Sequence, residues 1–270
     1  GYRYTYDGQG QRVKKSKNGG VTVFYTYDNK GKLISESDII WNPVKEYIYL
    51  NSQLIAVYDY DQDNDGYADA MDNCINKPNG KINPNFGLLA QSDSDQDGYG
   101  DVCDGDLDNN GIVNFGDINI ILGLLDGNGP LADFDNNGVV NFGDINLMFG
   151  MLDKPPGPSG THGEATAPPV RYVHNDHLGT PQALTDENGN KVWTADYQPF
   201  GQAIVDEDPD NDGIDTTLNV RFPGQYFDAE TGLYYNYYRY YDPQTGRYIT
   251  SDPIGLAGGL NTYGYVNQNP

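Results

Sequence analysis

The sequence predicts a mainly β protein of serial antiparallel hairpins, interrupted by an acidic insertion that contains one small α-helical pair. The hairpins are indicated by tyrosines that alternate with other residues, and by turn-forming residues between these runs. The insertion is indicated by an abrupt change of composition between residues 59 and 153, where aspartate dominates. Two apolar stripes of helical period inside this insertion indicate the helices.

Alternating tyrosines define the two hairpin regions, residues 1–58 and 170–270. Because side chains alternate across a strand, each set faces one side of a sheet, and the low aliphatic content predicts a largely aromatic core. The alternating sets are Tyr2-x-Tyr4-x-Tyr6, Tyr25-x-Tyr27 and Tyr47-x-Tyr49. The turn signals between such runs are Asp7-Gly8-Gln9-Gly10, Asp28-Asn29-Lys30-Gly31, Glu187-Asn188-Gly189-Asn190 and Asp242-Pro243-Gln244-Thr245-Gly246.

Residues 59–153 concentrate the negative charge of the chain. They hold 19 Asp, no Glu and two Lys, a balance of −17 against −23 for the whole chain. Sixteen of these aspartates belong to one pattern, which is written four times between Asp61 and Asp144. Without a cation, so many converging carboxylates would repel one another strongly. A solvated acidic linker is the alternative interpretation.

Each copy of the pattern is a twelve-position loop with oxygen side chains at positions 1, 3, 5, 9 and 12 and glycine at position 6. This is the ligand order of a calcium loop, in which position 7 adds a backbone carbonyl and the glycine permits a sharp turn. Flexible oxygen coordination favours Ca²⁺ over Mg²⁺, and folding of the block should depend on the ion. The predicted ligands are Asp61, Asp63, Asp65, Tyr67, Asp69 and Asp72 in loop 1; Asp93, Asp95, Asp97, Tyr99, Asp101 and Asp104 in loop 2; Asp106, Asp108, Asn110, Ile112, Asn114 and Asp117 in loop 3; and Asp133, Asp135, Asn137, Val139, Asn141 and Asp144 in loop 4.

Loops 1 and 2 flank Cys74 and Cys103, the only two cysteines. The motif D-x-D-x-D-G-x-x-D-x-x-D-N-C and the closing G-D-x-C-D resemble the thrombospondin type 3 repeat over residues 59–105. The resemblance implies a calcium-wrapped segment with almost no hydrophobic core and a Cys74–Cys103 disulfide, with two buried free thiols as the alternative. A bridge across 28 intervening residues would contribute roughly 3–4 kcal/mol on loop-entropy grounds and would indicate an oxidising, extracellular compartment.

Loops 3 and 4 each run into an amphipathic helix, and Asn114 and Asn141 are predicted N-caps as well as ligands. Residues 106–153 contain two copies of the loop-plus-helix pattern, offset by 27 residues. This segment resembles a type I dockerin. That resemblance implies a cohesin-like partner bound through loop positions 10 and 11, but these are Phe-Gly here and not a small hydroxylated pair. A structural helix pair and a docking module both remain open. The helix stripes, predicted to form a mutual core, are Ile118, Ile121, Leu122 and Leu125, and Ile145, Met148, Phe149 and Leu152.

The tyrosine-rich regions carry further motifs that together resemble the C-terminal core of Rhs/YD-repeat proteins, over residues 1–58 and 170–270. The resemblance implies a long, spirally wound β-sheet that can close into a hollow shell. The calcium modules would then be an insertion between Tyr58 and Arg171, with the Pro- and Gly-rich residues 154–169 as its return linker. The motifs are Tyr4-Thr5-Tyr6-Asp7-Gly8, Tyr25-Thr26-Tyr27-Asp28, His174-Asn175-Asp176-His177-Leu178-Gly179-Thr180-Pro181, Phe222-Pro223-Gly224-Gln225-Tyr226-Phe227-Asp228, Tyr240-Tyr241-Asp242-Pro243 and Ser251-Asp252-Pro253-Ile254-Gly255-Leu256.

Enzymatic sites receive little support from the sequence. The Rhs resemblance implies aspartyl self-cleavage by two D-P-x-G-L-like motifs, but only Asp252 is present, and one carboxylate cannot form an aspartyl dyad. We therefore predict that Asp252 is a turn residue and that this chain is not an enzyme, self-cleavage being left to a longer parent chain. A zinc site at His174 and His177 is a weaker alternative to a structural motif. A weak fifth calcium loop near Asp208–Asp212 competes with an exposed acidic loop.

The sequence predicts a non-enzymatic structural protein, secreted or on the bacterial cell surface. It would be a calcium-stabilised building unit of an extracellular assembly or filament, acting by self-association or with another extracellular protein. One alternative is a fragment of an Rhs-type toxin-delivery shell, whose cargo would follow residue 270. Another is an adhesion or docking module that acts through the dockerin-like pair. The negative charge argues against nucleic acid, and no segment is apolar enough to span a membrane.

Overall fold

The alternating tyrosine runs form a ten-stranded antiparallel sheet in which every strand pairs with the next one along the chain. This computed structural model describes residues 1–17, 22–63, 65, 67–77, 79, 91–127, 130–135, 137–159, 161, 163, 167–212 and 214–266. The predicted mainly β fold is confirmed. The strands of this sheet are β1 (Tyr2–Tyr6), β2 (Arg12–Lys17), β3 (Thr22–Tyr27), β4 (Leu33–Ser37), β5 (Pro43–Leu50), β6 (Gln53–Asp59), β7 (Val170–Asn175), β8 (Pro181–Thr185), β9 (Lys191–Tyr197) and β10 (Ala203–Asp206).

One hairpin turn recurs along this sheet. An aspartate accepts hydrogen bonds from the backbone N–H groups two and four residues later, and the residue three positions later has a positive φ, which favours glycine. These aspartates are Asp7, Asp28, Asp38, Asp176 and Asp186. In the Asp38 turn the positive φ of 71° belongs to Trp41. Sequence reasoning missed this turn because it contains no glycine.

A second, four-stranded sheet follows β10. Its strands are β11 (Tyr226–Asp228), β12 (Leu233–Asn236), β13 (Arg239–Asp242) and β14 (Arg247–Tyr248). The two sheets share one core, in which Tyr25 and Tyr47 of the large sheet lie with Tyr226 and Tyr235 of the small one. The prediction of a largely aromatic core is wrong for this shared core, because seven of its twelve buried residues are aliphatic: Leu33, Leu54, Val57, Leu184, Val192, Ala195 and Leu218.

A buried ion pair joins the two sheets. Arg12 of β2 donates to the carboxylate of Asp228 of β11, and both side chains have no exposed surface. The Arg12 guanidinium also lies 4.3–5.3 Å from the centroids of four tyrosine rings. These rings, which include Tyr25 and Tyr235, compensate the desolvated cation through cation–π attraction. The pair therefore fixes the position of one sheet on the other.

The acidic insertion, residues 60–168, forms its own compact unit, and the two sheets belong to the other unit. The insertion contains the helices α1 (Phe115–Gly123) and α2 (Phe142–Met151). Short 3₁₀ turns lie at Asp69–Met71 and Pro130–Ala132 in the insertion, and a third lies at Gly255–Gly258 in the other unit. The core of the helical part is formed by Leu107, Val113, Ile118, Ile121, Ala132, Phe134, Val140, Ile145 and Met148.

The predicted helix stripes are only partly buried. Leu122 and Phe149, one residue from each stripe, are 46% and 49% exposed, so the prediction that they belong to the mutual core is wrong. The buried members, Ile118 and Ile121 in α1 and Ile145 and Met148 in α2, lie on a narrower face. Two helices of nine and ten residues bury a narrower stripe than a helix that is packed on several sides.

The insertion leaves and re-enters the sheet at a single point. Tyr58 of β6 pairs with Val170 of β7, and the Asp59 backbone N–H donates to the Pro169 carbonyl at 3.2 Å. Beside this point, the buried Lys45 ammonium contacts the Asp59 carboxylate at 2.7 Å. The sheet is therefore as continuous across the insertion as it is across an ordinary hairpin turn.

Replacing residues 60–168 by Asn-Gly should leave both sheets folded. Asn-Gly suits a two-residue turn between antiparallel strands, and β6 and β7 already pair up to this point. The expected result is retention of the near-ultraviolet circular dichroism of the aromatic core. Replacing Asn51-Ser52, the two-residue turn between β5 and β6, by Asn-Gly is the matched control. Loss of the aromatic signal in the deletion variant alone would contradict the continuity of the sheet.

Arg12→Met should lower the free energy of unfolding by about 3 kcal/mol, because removal of Arg12 leaves the buried Asp228 carboxylate with the more distant Lys15 ammonium, at 3.8 Å, as its counter-charge. Urea denaturation of the full chain measures this. Arg3→Met on the neighbouring strand β1 removes an exposed arginine and should change stability by less than about 0.5 kcal/mol. Adding Asp228→Leu to Arg12→Met should recover much of the loss. A single Arg12→Met variant as stable as Arg3→Met would contradict the role of the pair.

Candidate calcium sites

In loops 3 and 4, the carboxylate at position 12 lies close to the carboxylates at positions 1 and 3. In loop 3, ligand oxygens of Asp106, Asp108 and Asp117 all lie within 4.8 Å of one another, and the equivalent residues of loop 4 do the same. Asp117 is fully buried and accepts hydrogen bonds from the backbone N–H groups of Asp108 at 3.0 Å and Asn114 at 2.7 Å. The last predicted ligand therefore also holds the start of helix α1 in place.

The N-terminus of each helix explains this placement. The side-chain oxygen of Asn114 accepts from the Gly116 N–H at 2.7 Å, and that of Asn141 accepts from the Gly143 N–H at the same distance. Together with Asp117 and Asp144 they complete two capping boxes, so the predicted N-caps are confirmed. Because these oxygens face the helix, they would reach an ion through water, as is common at position 9.

The position-6 glycines make the sharp turns that the pattern predicts. Gly98, Gly111 and Gly138 have φ values of 97°, 93° and 91°. Each donates its N–H to the position-1 aspartate of its own loop. Such φ values are unfavourable for other residues. The corresponding glycine of loop 1, Gly66, lies outside the described residues.

Loops 1 and 2 carry buried carboxylate oxygens without hydrogen-bond donors. Among the described residues, this holds for one oxygen each of Asp63, Asp72, Asp93 and Asp95. In each loop, ligand oxygens of positions 1, 3 and 5 also lie within 4.8 Å of one another. Buried acceptors without partners are unfavourable, and an oxygen-seeking divalent cation would compensate them. The donor set of these loops therefore fits a calcium ion.

Electrostatic repulsion inside these loops is large. Burial, followed by the nearby carboxylates of Asp65, Asp72 and Asp61, raises the pKa of Asp63 to about 10. Burial and the Asp65 carboxylate raise the pKa of Asp72 to about 7. Position 12 of loop 2, Asp104, has its pKa raised to about 8, mainly by burial. In loops 1 and 2, carboxylates of the same loop therefore contribute, after burial, to the raised pKa at position 12.

Position 9 differs between the two pairs of loops. Asp69 in loop 1 accepts from the N–H and the side-chain amide of Gln62, at 2.9 and 2.8 Å. Asp101 in loop 2 accepts from the N–H and the hydroxyl of Ser94, both at 2.9 Å. The aspartate at position 9 thus accepts two hydrogen bonds from the residue at position 2 of the same loop. These bonds close loops 1 and 2 without a helix.

A disulfide and a strap hold loop 2. Cys74 and Cys103 form a disulfide with a Cα–Cα distance of 5.8 Å. Part of the predicted return linker, residues 155–159 and 161, forms the strap. The hydroxyls of Ser159 and Thr161 both donate to the Gly98 carbonyl, at 2.7 and 2.6 Å.

The strap lies on the turn of loop 2. The backbone N–H of Gly157 donates to the Cys103 carbonyl at 3.3 Å. A Cβ at Gly157, whose φ is 88°, would lie 2.6 Å from the Tyr99 ring. The strap therefore contacts positions 6 and 7 of loop 2, where position 7 is a predicted carbonyl ligand. Sequence reasoning missed Ser159 and Thr161, because a Pro- and Gly-rich segment shows no periodic pattern.

The remaining candidates form weaker arrangements. Ligand oxygens of Asp208, Asp210 and Asp212 lie within 4.8 Å of one another in an exposed loop. Counted from Asp208, position 12 of this fifth loop would be Asn219, whose side-chain amide donates to the Tyr226 hydroxyl at 3.2 Å. His174 contacts the Thr185 hydroxyl at 3.0 Å. Neither His174 nor His177 joins a group of three metal-ligating side chains among the described residues.

Asp252 has the contacts of a turn residue. It accepts from the Ile254 N–H at 3.1 Å and forms an ion pair with Arg239, also at 3.1 Å. Its own N–H donates to the Thr262 carbonyl. Within the part of the chain that is described, no helix is long and apolar enough to cross a membrane.

Known protein families match parts of the sheet region and of the acidic insertion. Residues 170–207 match the RHS protein family, and residues 57–81 and 92–118 match the thrombospondin type 3 repeat. The second match extends into loop 3, which sequence reasoning assigned to a dockerin-like module. These matches support an Rhs-type protein that carries thrombospondin type 3 repeats.

Several curated proteins share about 100 residues with this chain. The protein YibJ of Escherichia coli K12 is 48% identical over 106 residues, 37% of this chain and 44% of that protein. Toxin protein Tse5 of Pseudomonas aeruginosa is 44% identical over 101 residues, 37% of this chain and 7% of that protein. Double-stranded DNA deaminase toxin A of Burkholderia cenocepacia is 43% identical over 104 residues, again 37% and 7%. The chain thus spans less than half the length of these relatives.

Among solved structures, the crystal structure titled TcdB2-TccC3-TEV aligns with all of this chain and 8% of that chain. The TM-score is 0.46 and the sequence identity is 16%.

Removing divalent cations with a chelator should release the strap. The strap is anchored on the Gly98–Tyr99 peptide, which a calcium ion in loop 2 would hold still. Amide hydrogen exchange of Gly157, Ser159 and Thr161 should therefore rise by at least about tenfold. Mass spectrometry of the exchanged full chain measures this. The double variant Ser159→Ala/Thr161→Val should exchange fast in this segment even with calcium, whereas Ser251→Ala, an exposed serine, should not. Equal protection with and without chelator would contradict the coupling.

Proposed function

We propose that this chain is a wall segment of an Rhs-type toxin-delivery shell, in which calcium stiffens an inserted module. The observation that carries the proposal is the strand order, β1 to β10 in strict sequence with no crossover. A sheet that grows by one neighbour at a time can continue past either edge strand, as a wound shell wall requires. Mixed topologies, with helices covering both faces, would prevent such continuous growth.

The relatives favour a shell over a filament. Two relatives that are named as toxins share only 7% of their length with this chain. A segment that is common to differently named toxins is better suited to a shared scaffold than to the toxic activity of either. The building-unit hypothesis from the sequence therefore has less support than its shell alternative. On this proposal the chain itself is not an enzyme.

We further propose that loops 1 to 4 bind Ca²⁺ through the predicted ligands. The support comes from the clustered carboxylates, the buried oxygens without donors and the positive-φ glycines of loops 2 to 4. A bound divalent cation would offset the burial and the carboxylate repulsion that raise the pKa values of Asp63, Asp72 and Asp104. Extracellular calcium modules and disulfides share an oxidising environment, which supports secretion or a cell-surface location.

A docking role for the helix pair is a second candidate. Phe115 and Phe142, at position 10 of loops 3 and 4, are 73% and 70% exposed. Exposed aromatic residues at equivalent places of two copies favour a protein partner. Because Gly116 and Gly143 follow them, such a partner would recognise aromatic rings and not hydroxyl groups.

Electron cryomicroscopy of the native protein tests the shell proposal. In the presence of calcium, the particles should be closed and hollow, with the ten strands of this chain in the wall. Chelation should leave the particles closed while density for residues 60–168 is lost. The Asn-Gly replacement of residues 60–168 serves as control and should still give closed particles. Filaments or open sheets would contradict the proposal and favour a building unit.

A further inference from the structure

A lysine and an aspartate are buried side by side on neighbouring strands of the ten-stranded sheet. Lys45 of β5 and Asp59 of β6 are paired in register, so their side chains point to the same face. This face carries the shared core, because Tyr47, two residues after Lys45, belongs to that core. Lys45 is 4% exposed and Asp59 is 3% exposed, and no other lysine among the described residues is buried.

The lysine nitrogen lies in front of the aspartate carboxyl group. Nζ of Lys45 donates to Oδ1 of Asp59 at 2.7 Å and to Oδ2 at 2.8 Å. Because both oxygens are bonded to Cγ, this carbon lies within about 3.5 Å of Nζ, the separation of reacting atoms in a near-attack arrangement. The torsion about the Cβ–Cγ bond of aspartate is soft, so the carboxyl group can turn its face towards the nitrogen.

Burial favours the neutral form of such a pair. Away from water, an ammonium passes its proton to an adjacent carboxylate more easily, because both charged groups have lost their hydration. The products are an amine, which is a nucleophile, and a carboxylic acid. The other ion pair without exposed surface, Arg12 with Asp228, does not have this option, because a guanidinium keeps its proton.

A second carboxyl group flanks the lysine on its other side. Glu36 of β4 is buried and pairs with Lys45 in register. Its two oxygens accept from the hydroxyls of Tyr47 and Tyr226, at 2.5 and 3.1 Å. Lys45 thus stands between two carboxyl groups, those of Glu36 and Asp59, on three consecutive strands. One of them can react with the amine while the other carries a proton.

We propose that Lys45 and Asp59 condense to an isopeptide bond that cross-links β5 to β6. The neutral Nζ attacks Cγ of the Asp59 carboxylic acid, and a C–N bond forms. The C–O bond to the hydroxyl oxygen then breaks, while Glu36 takes a proton from the nitrogen and gives one to the leaving oxygen. The ammonium and the carboxylate are thus replaced by one amide and one water molecule, and no oxidant or reductant is needed.

The bond would fix the register of β5 and β6 covalently. It would lie at the last residue of β6, where a permanent amide resists separation of the two strands better than an ion pair does. The inference goes beyond the shell function and does not depend on calcium, because all three residues belong to the sheets. No sequence motif indicated it, since Lys45 and Asp59 are 14 residues apart.

Intact-mass spectrometry of the denatured full chain tests this bond. We expect most molecules to be lighter, by one water molecule, than the mass of the sequence with its Cys74–Cys103 disulfide. Trypsin should fail to cut after Lys45, because the amide removes the positive charge. Fragmentation of the uncut peptide should then show Lys45 joined to Asp59. A chain of full mass that trypsin cuts after Lys45 would overturn the proposal.

Arginine at position 45 separates condensation from ion pairing. Lys45→Arg keeps the positive charge but cannot condense, so this variant should have the full mass. Lys15→Arg, which changes another lysine that forms ion pairs, is the matched control and should still lack one water molecule. A water loss that persists in Lys45→Arg would lie elsewhere in the chain and would overturn the assignment.

Glu36→Gln tests the proton carrier. Glutamine still offers an oxygen to the tyrosine hydroxyls but cannot carry the proton, so the cross-linked fraction should fall at least about tenfold. The near-ultraviolet circular dichroism of the aromatic core should stay unchanged, which separates this effect from a loss of fold. Complete cross-linking in Glu36→Gln would overturn the role of Glu36.

Discussion

The pairing of β6 with β7 is the constraint on which the architecture depends. Because Tyr58 and Val170 are neighbours in one sheet, the chain between them must leave and return at one point. The insertion forms a compact unit of its own, so its own contacts have to stabilise it. The sheet, in turn, must stay in register across a connection of 110 residues, from 60 to 169.

The sheets and the insertion are stabilised in different ways. The sheets share an apolar core and bury charged groups that find partners, such as Arg12 with Asp228 and Glu36 with the hydroxyls of Tyr47 and Tyr226. Among its described residues, the insertion has a small apolar cluster around α1 and α2 and a cluster of Cys74, Val102 and Cys103 around the disulfide. With so little core, its stability has to come from covalent and ionic links. Calcium and the disulfide are therefore proposed as structural elements and not as reactive ones.

Hydrogen bonds between residues close in sequence were predictable, and contacts between residues distant in sequence were not. The glycines at position 6 of loops 2 to 4 and the N-caps Asn114 and Asn141 are confirmed, because their hydrogen bonds lie within one turn. The Arg12–Asp228 pair spans 216 residues, and nothing near Arg12 distinguishes it from the exposed Arg3. Leu122 follows the helical period but is exposed, because periodicity defines a face and not the partner that covers it. The Asp38 turn was missed since its aspartate supplies the usual hydrogen bonds without a glycine.

Calorimetry of the intact chain tests the central claim most directly, which is that calcium stabilises the insertion and not the sheets. We predict two unfolding transitions, of which only one moves to lower temperature when calcium is replaced by a chelator. The transition whose temperature does not change should be the one that Arg12→Met shifts to lower temperature. That shift would assign this transition to the sheets. A single transition that shifts as a whole with calcium, or two transitions that both ignore calcium, would contradict the claim.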